Sequence, residues 1–188
     1  MKVYLAGPDV FLPDASEIGQ RKKEICARFG LIGLFPLDQE MPATDSLSRE
    51  IFQANTSLME RADAIIANLT PFRGPSADVG TIYELGFVAG RGKLCAGYSN
   101  VASSYRDKVR TAGYSGPDGK TDSNGMLIEN FGLADNLMIV HALDYYGVPL
   151  VQPKESPADP LRDLAVFEAC VRMVAERLAR ANRAVKHA

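Results

Sequence analysis

Short apolar runs alternate with longer amphipathic stretches along the first hundred residues. The run "VYLAG" (3–7) predicts a buried strand, and "LIGLFPL" (31–37), "DAIIANL" (63–69) and "LCAGYS" (94–99) predict three more. Between them, residues 15–29 carry Ile18, Ile25 and Phe29 at helical spacing, with Gly30 as the stop. Residues 46–61 open on Ser46 as an N-cap and predict a second helix, and residues 78–90 predict a third. Near the C-terminus, Leu161, Leu164, Phe167, Val171, Val174 and Leu178 predict one long amphipathic helix over 158–184. Repeated strand–helix alternation predicts an α/β fold, a doubly wound parallel sheet of about five strands with helices on both faces.

Residues 100–131 break the alternation. They are rich in Gly, Ser and Asp and show no period. Loops this long are often functional, so the segment reads as a flexible loop, either a lid or a surface excursion. No repeat or linker divides the chain, and 188 residues at 46% hydrophobic suffice for one core, so residues 1–188 read as a single domain.

Charge removes several function classes. A net charge of −2 with no basic patch argues against DNA, RNA or an anionic membrane as partner. No apolar run approaches the roughly 20 residues needed to span a bilayer. The N-terminal run is too short and too soon interrupted for a signal peptide. Cys26, Cys95 and Cys170 are far apart and form no CxxC pair, which suits reduced thiols in a cytoplasmic protein. With only His141 and His187 besides, no zinc site is expected.

Open parallel sheets bind ligands beyond the carboxyl ends of their strands. Those ends read "GPDVF", "PLDQE", "NLTPFRG" and "YSN". None matches GxGxxG or GxxxxGK[ST], so a dinucleotide or triphosphate cradle is disfavoured and no cofactor is expected. Asn68 stands where a phosphoacceptor receiver domain would want an aspartate. Asp9, Asp38, Asp78 and Glu84 all fall at or just past strand ends, on the presumed ligand side. Carboxylates without metal-binding histidines suggest attack on an electron-poor carbon or proton transfer. Asp78 and Glu84 are six residues apart, a rise of roughly 9 Å in a continuous helix. They share a ligand easily only if Asp78 lies in the loop or at the N-cap, where Gly74, Pro75 and Gly80 permit a bend. Phe11 and Phe72 are candidates to stack on an aromatic ligand, while Tyr83 reads as core packing. Arg73 reads as a ligand, partner or solvent contact.

The stretches "YLAGPDVF", "PLDQE", "DAIIANLTPFRGPSADVGTIYELG" and "DNLM" together resemble the nucleoside 2-deoxyribosyltransferases, and most closely the trypanosomatid-like branch. The likeness runs in order from residue 3 to about residue 140. It implies a flavodoxin-like fold, a homo-oligomer with sites completed by a neighbour, and small-molecule substrates: a 2′-deoxyribonucleoside and a free base. It also implies Glu84 of "ELG" as nucleophile, Asp78 of "DVG" in proton traffic, and Tyr4 beside the nucleophile. Asn136 of "NLM" would reach the sugar 5′-hydroxyl of the neighbouring site. Asn55 stands where the bacterial branch has an aspartate and keeps hydrogen bonding without the charge. Either Gln39 or Glu40 would contact the base. Gly7, Pro8 and Phe11 after the first strand, Asp38 after the second, and Gly80 beside Asp78 complete the expected substrate-binding set.

The implied reaction is base exchange with retention at C1′, through an ester between deoxyribose and Glu84. Tyr4 would keep Glu84 ionised, and that charge would raise the pKa of Asp78, making it the proton donor. A hydrolase of deoxynucleoside 5′-monophosphates from the same superfamily is the alternative, followed by a non-catalytic nucleoside sensor.

Overall fold

The computed structural model describes residues 1–39 and 46–186. Glu40 and His187 lie outside the described residues. Four parallel strands form the sheet: β1 (Lys2–Ala6), β2 (Ile32–Leu34), β3 (Ala64–Asn68) and β4 (Leu94–Tyr98). Their order is β2-β1-β3-β4. The helices are α1 (Ala15–Arg28), α2 (Leu47–Arg61), α3 (Val79–Gly90), α4 (Tyr105–Thr111), α5 (Leu137–Tyr146) and α6 (Ala165–Lys186).

The two-residue period of β1 sends Val3 and Leu5 to one face and Tyr4 and Ala6 to the other. The first face packs under α1 and α6 through Ile25, Cys26, Phe167, Val171 and Val174. The second meets α2, α3 and α5 through Leu58, Met59, Leu85, Val88 and Leu143. Cover on both faces explains why β3 is buried along its whole length and reads as a continuous apolar run. No helix among the described residues is long and apolar enough to cross a membrane.

Three expectations are corrected. The sheet has four strands rather than about five. Residues 147–151 do run parallel to β4, but only through isolated bridges, Cys95 with Gly147 and Tyr98 with Val151. Pro149 offers no N–H between them, and the pairing slips by one residue. The second strand stops at Leu34 because Pro36 opens a 3-10 turn over Pro36–Asp38. The last helix starts at Ala165, not at residue 158. Asn100 Nδ2 donates to the carbonyls of Pro160 and Asp163 at 2.7 and 2.8 Å, holding that stretch outside the helix. Residues 100–131 contain α4 and two antiparallel bridges, Ser115 with Asp122 and Thr121 with Leu127.

The turn after β1, Pro8–Phe11, is anchored from beneath. Asp9 is 1% exposed and pairs with Lys22 of α1, itself 1% exposed. Asn68 Nδ2 donates to the other Asp9 oxygen at 3.0 Å. The Lys22 ammonium lies 5.2 Å from the Phe167 ring centre and 5.6 Å from that of Tyr98. Gly7 must be glycine here, since a Cβ would sit 2.6 Å from Asn68 Cβ and 2.5 Å from Asp9 Oδ2. Lys22→Met strands the Asp9 charge in the core. It is expected to cost about 3–5 kcal/mol in urea unfolding, with much of the loss recovered in Lys22→Met/Asp9→Asn.

Candidate active site

The chain leaves β1 toward β2 on one side of the sheet and leaves β3 toward β4 on the other. A crevice therefore opens past the carboxyl ends of β1 and β3. It holds a cavity of about 350 Å³, within the roughly 300–1,000 Å³ usual for small-molecule sites. Gly7, Val10 and Phe11 come to it from the turn after β1, and Pro36, Leu37 and Gln39 from the segment after β2. Ile51 and Asn55 face it from α2, and Asp78, Gly80, Thr81 and Glu84 from the start of α3. The lining combines apolar side chains, Val10, Phe11, Pro36, Leu37 and Ile51, with the carboxyl groups of Asp78 and Glu84, the Thr81 hydroxyl and the amides of Gln39 and Asn55.

Asp78 is the N-cap of α3, which removes the spacing conflict with Glu84. Its Oδ2 accepts from Thr81 N at 2.8 Å and from Thr81 Oγ1 at 3.0 Å. Asp78 thus caps the helix and still faces the cavity. Glu84 follows in the second turn of α3. Tyr4 occupies the α3 face of β1, is fully buried, and donates its hydroxyl to Glu84 Oε1 at 2.7 Å. Burial, reinforced by the Glu84 charge and hydrogen bond, pushes the Tyr4 hydroxyl far above its usual range, so it stays a donor.

The Glu84 carboxyl is pushed up to about 7. Burial is the main cause. The Tyr4 hydrogen bond opposes it, and the Asp78 charge adds to the rise. The sequence reading keeps Glu84 ionised through Tyr4; in the structure desolvation outweighs that hydrogen bond, and Glu84 itself holds a proton to near neutrality.

The remaining expected residues divide. Gly7, Phe11, Gln39, Asn55 and Gly80 line the cavity with Asp78 and Glu84. The Asn55 Oδ1 is buried and has no hydrogen-bond partner among the described residues, and Gln39 Nε2 donates to Ala54 O at 3.3 Å. Asp38 does not reach the cavity. It pairs with Lys23 at 2.6 Å and accepts from Phe35 N at 3.2 Å. Pro8 is buried beneath the turn and does not line the cavity either. Asp9 is likewise consumed by Lys22 and Asn68. Asn136 is the N-cap of α5 and does not line this cavity.

Phe11 stacks on Phe72 with ring centres 5.2 Å apart. The Arg73 guanidinium lies 4.6 Å from the Phe72 ring centre and 5.2 Å from that of Phe11. Tyr83 is not core. It is 54% exposed and packs loosely with Phe52 and Phe87. Val10, Pro36, Leu37, Ile51 and Thr81 line the cavity beyond the residues that the sequence singles out. Thr81 was open to detection, as the third residue after a capping aspartate. Among the described residues, no three His, Cys, Asp or Glu side chains cluster to hold a metal ion.

The family model for nucleoside 2-deoxyribosyltransferase matches residues 3–138. The chain belongs to the nucleoside 2-deoxyribosyltransferase family. The matched span runs from β1 to the first turn of α5, so it includes Tyr4, Asp78, Glu84 and Asn136. Among solved structures, a 2-deoxyribosyltransferase of Leishmania mexicana is 30% identical, with 93% of this chain and 97% of that one covered and a TM-score of 0.63. A conserved protein of Enterococcus faecalis shares the fold at 19% identity and a TM-score of 0.57, covering 94% of this chain and 98% of its own. An uncharacterised protein of Schizosaccharomyces pombe is 36% identical over 72% of this chain and 74% of its own length. The nucleoside 2-deoxyribosyltransferase fold is thus the parallel α/β sheet described above.

Proposed function

We propose that the protein exchanges the base of 2′-deoxyribonucleosides through a covalent deoxyribosyl ester on Glu84, with retention at C1′. One observation carries the reading: Glu84, bonded to Tyr4 at 2.7 Å, faces the same cavity as the N-capping Asp78. The Leishmania mexicana relative, named for deoxyribosyl transfer, supports the substrate class.

In the reactive state the Glu84 proton has passed to Asp78. The ionised Glu84 Oε attacks C1′, the C1′–N bond breaks, and Asp78 gives its proton to the departing base. A second base then attacks C1′ from the face the first one left. The ester bond breaks, Glu84 recovers its carboxylate, and the incoming base returns a proton to Asp78. Two inversions give net retention. Tyr4 donates to the carboxylate throughout, and the apolar side chains of Val10, Phe11 and Leu37 that line the cavity receive the base. Asn55, whose buried Oδ1 has no partner among the described residues, accepts from a sugar hydroxyl. The same reading assigns the protein to nucleoside salvage in the cytoplasm.

The reading includes a homo-oligomer. Val79 is 85% exposed on α3, Met138 71% on α5, and Phe52 and Tyr83 more than half. Met138 stands two residues after Asn136, and exposed apolar side chains of this size suit cover by a second copy. Asn136 then serves the 5′-hydroxyl in the neighbouring cavity. Asn136→Ala is expected to lower kcat/KM about three- to tenfold, mostly through KM, the worth of one neutral hydrogen bond. Unchanged KM and kcat would remove this role.

Incubation with a deoxynucleoside and a different free base tests the activity. A new nucleoside is expected. Free deoxyribose with no new nucleoside would point instead to hydrolysis.

A further inference from the structure

The segment 100–131 carries a carboxylate that the reaction above leaves unused. Glu129 Oε1 accepts from Asn136 Nδ2 at 2.6 Å, and its Oε2 accepts from Leu137 N at 3.0 Å. Asn136 Oδ1 in turn accepts from Met138 N at 3.0 Å. The backbone beneath is held as well, since Asn136 N donates to Asp135 Oδ1 at 2.8 Å. Asp135 is 2% exposed and also accepts from Ala77 N at 3.0 Å, next to Asp78.

An asparagine amide has a donor end and an acceptor end, and a 180° flip exchanges them. An ionised carboxylate only accepts, and a backbone N–H only donates. Glu129 on one side and Met138 N on the other therefore permit a single orientation of the Asn136 amide. One Nδ2 hydrogen remains uncommitted among the described residues, aimed from a fixed N-cap. We propose that Glu129 is a positioning residue: it locks the Asn136 amide so that this N–H meets the primary hydroxyl of a deoxyribose, and so sets selectivity for that hydroxyl. This rests on the reading that Asn136 serves the sugar, and it adds a task for segment 100–131.

The test uses the full chain, with a 2′-deoxyribonucleoside and its 2′,5′-dideoxy analogue as donors and one free purine as acceptor. The unmodified protein is expected to prefer the hydroxylated donor by about tenfold in kcat/KM. Glu129→Ala is expected to erase most of that preference through KM while leaving turnover of the dideoxy donor within about twofold. Glu129→Gln retains the bond to Asn136 through its carbonyl oxygen and is expected to keep part of the preference. The double variant with Asn136→Ala should be no worse than Asn136→Ala alone.

Equal losses on both donors, or additive losses in the double variant, would assign Glu129 a merely structural role and overturn the proposal. Loss of preference in Asn136→Ala but not in Glu129→Ala overturns it while sparing the reading of Asn136. If neither variant alters the preference, the reading of Asn136 fails, and this proposal with it. Absence of any base exchange by the unmodified protein would locate the failure in the transferase reading itself.

Discussion

Glu84→Gln is expected to abolish base exchange, with a loss on the order of 10³–10⁶-fold, because an amide cannot form the ester and Asp78, the other carboxylate lining the cavity among the described residues, is committed to capping α3 through Thr81. The same variant is expected to be more stable than the parent at neutral and alkaline pH. Glu84 is pushed from 4.5 to about 7 in the fold, so the folded state holds its proton more tightly than the unfolded chain does. That preference is fully present below about pH 4.5 and is lost as pH rises toward 7. Above 7 the buried charge costs up to about 3 kcal/mol, which glutamine removes. Thermal melts should show a higher Tm for Glu84→Gln at pH 8 and little difference at pH 4. Retained exchange activity, or a Tm gap of the same size at both pH values, would contradict this role for the carboxylate.

Tyr4→Phe is expected to act on the same proton. The Tyr4 hydroxyl favours the ionised Glu84, and a hydrogen bond to a charged group contributes about 1.5–3 kcal/mol. Its loss moves the Glu84 proton affinity up by roughly 1–2 pH units. In the parent, kcat/KM should fall above about pH 7 as the cavity loses the proton destined for the leaving base. In Tyr4→Phe that fall moves to higher pH. The plateau also drops about tenfold or more, since Glu84 now yields its proton to Asp78 less readily. A pH–rate profile of unchanged shape would remove Tyr4 from the proton balance. Phenylalanine fills the same buried site on β1, so the fold should survive the change.

Much of this site was legible in the residues because its elements are local. Each strand is a short apolar run, and α3 starts at an aspartate followed three residues later by threonine, which fixes both Asp78 and Glu84 relative to the sheet. Legibility failed where a distant partner decides the outcome. Asp9 and Asp38 read as ligand-side carboxylates, yet Lys22 and Lys23 of α1 take both. The apolar spacing of Leu161 and Leu164 continues the pattern of α6, but Asn100 withholds the carbonyls of Pro160 and Asp163 from a helix. The run beside β4 that would have made a fifth strand is interrupted by Pro149 and keeps only isolated bridges. α5 went unread although Asn136 is an ordinary N-cap signal. Glu129 sits in a segment with no period, and only folding brings it to Asn136.

The most direct measurement weighs the protein itself. It is mixed with a 2′-deoxyribonucleoside, without acceptor base, then quenched and analysed intact and after digestion. A mass increase equal to one deoxyribosyl group is expected, located on the peptide that carries Glu84 and absent from Glu84→Gln. Base release with no such adduct, or an adduct that persists in Glu84→Gln, would contradict covalent transfer through Glu84.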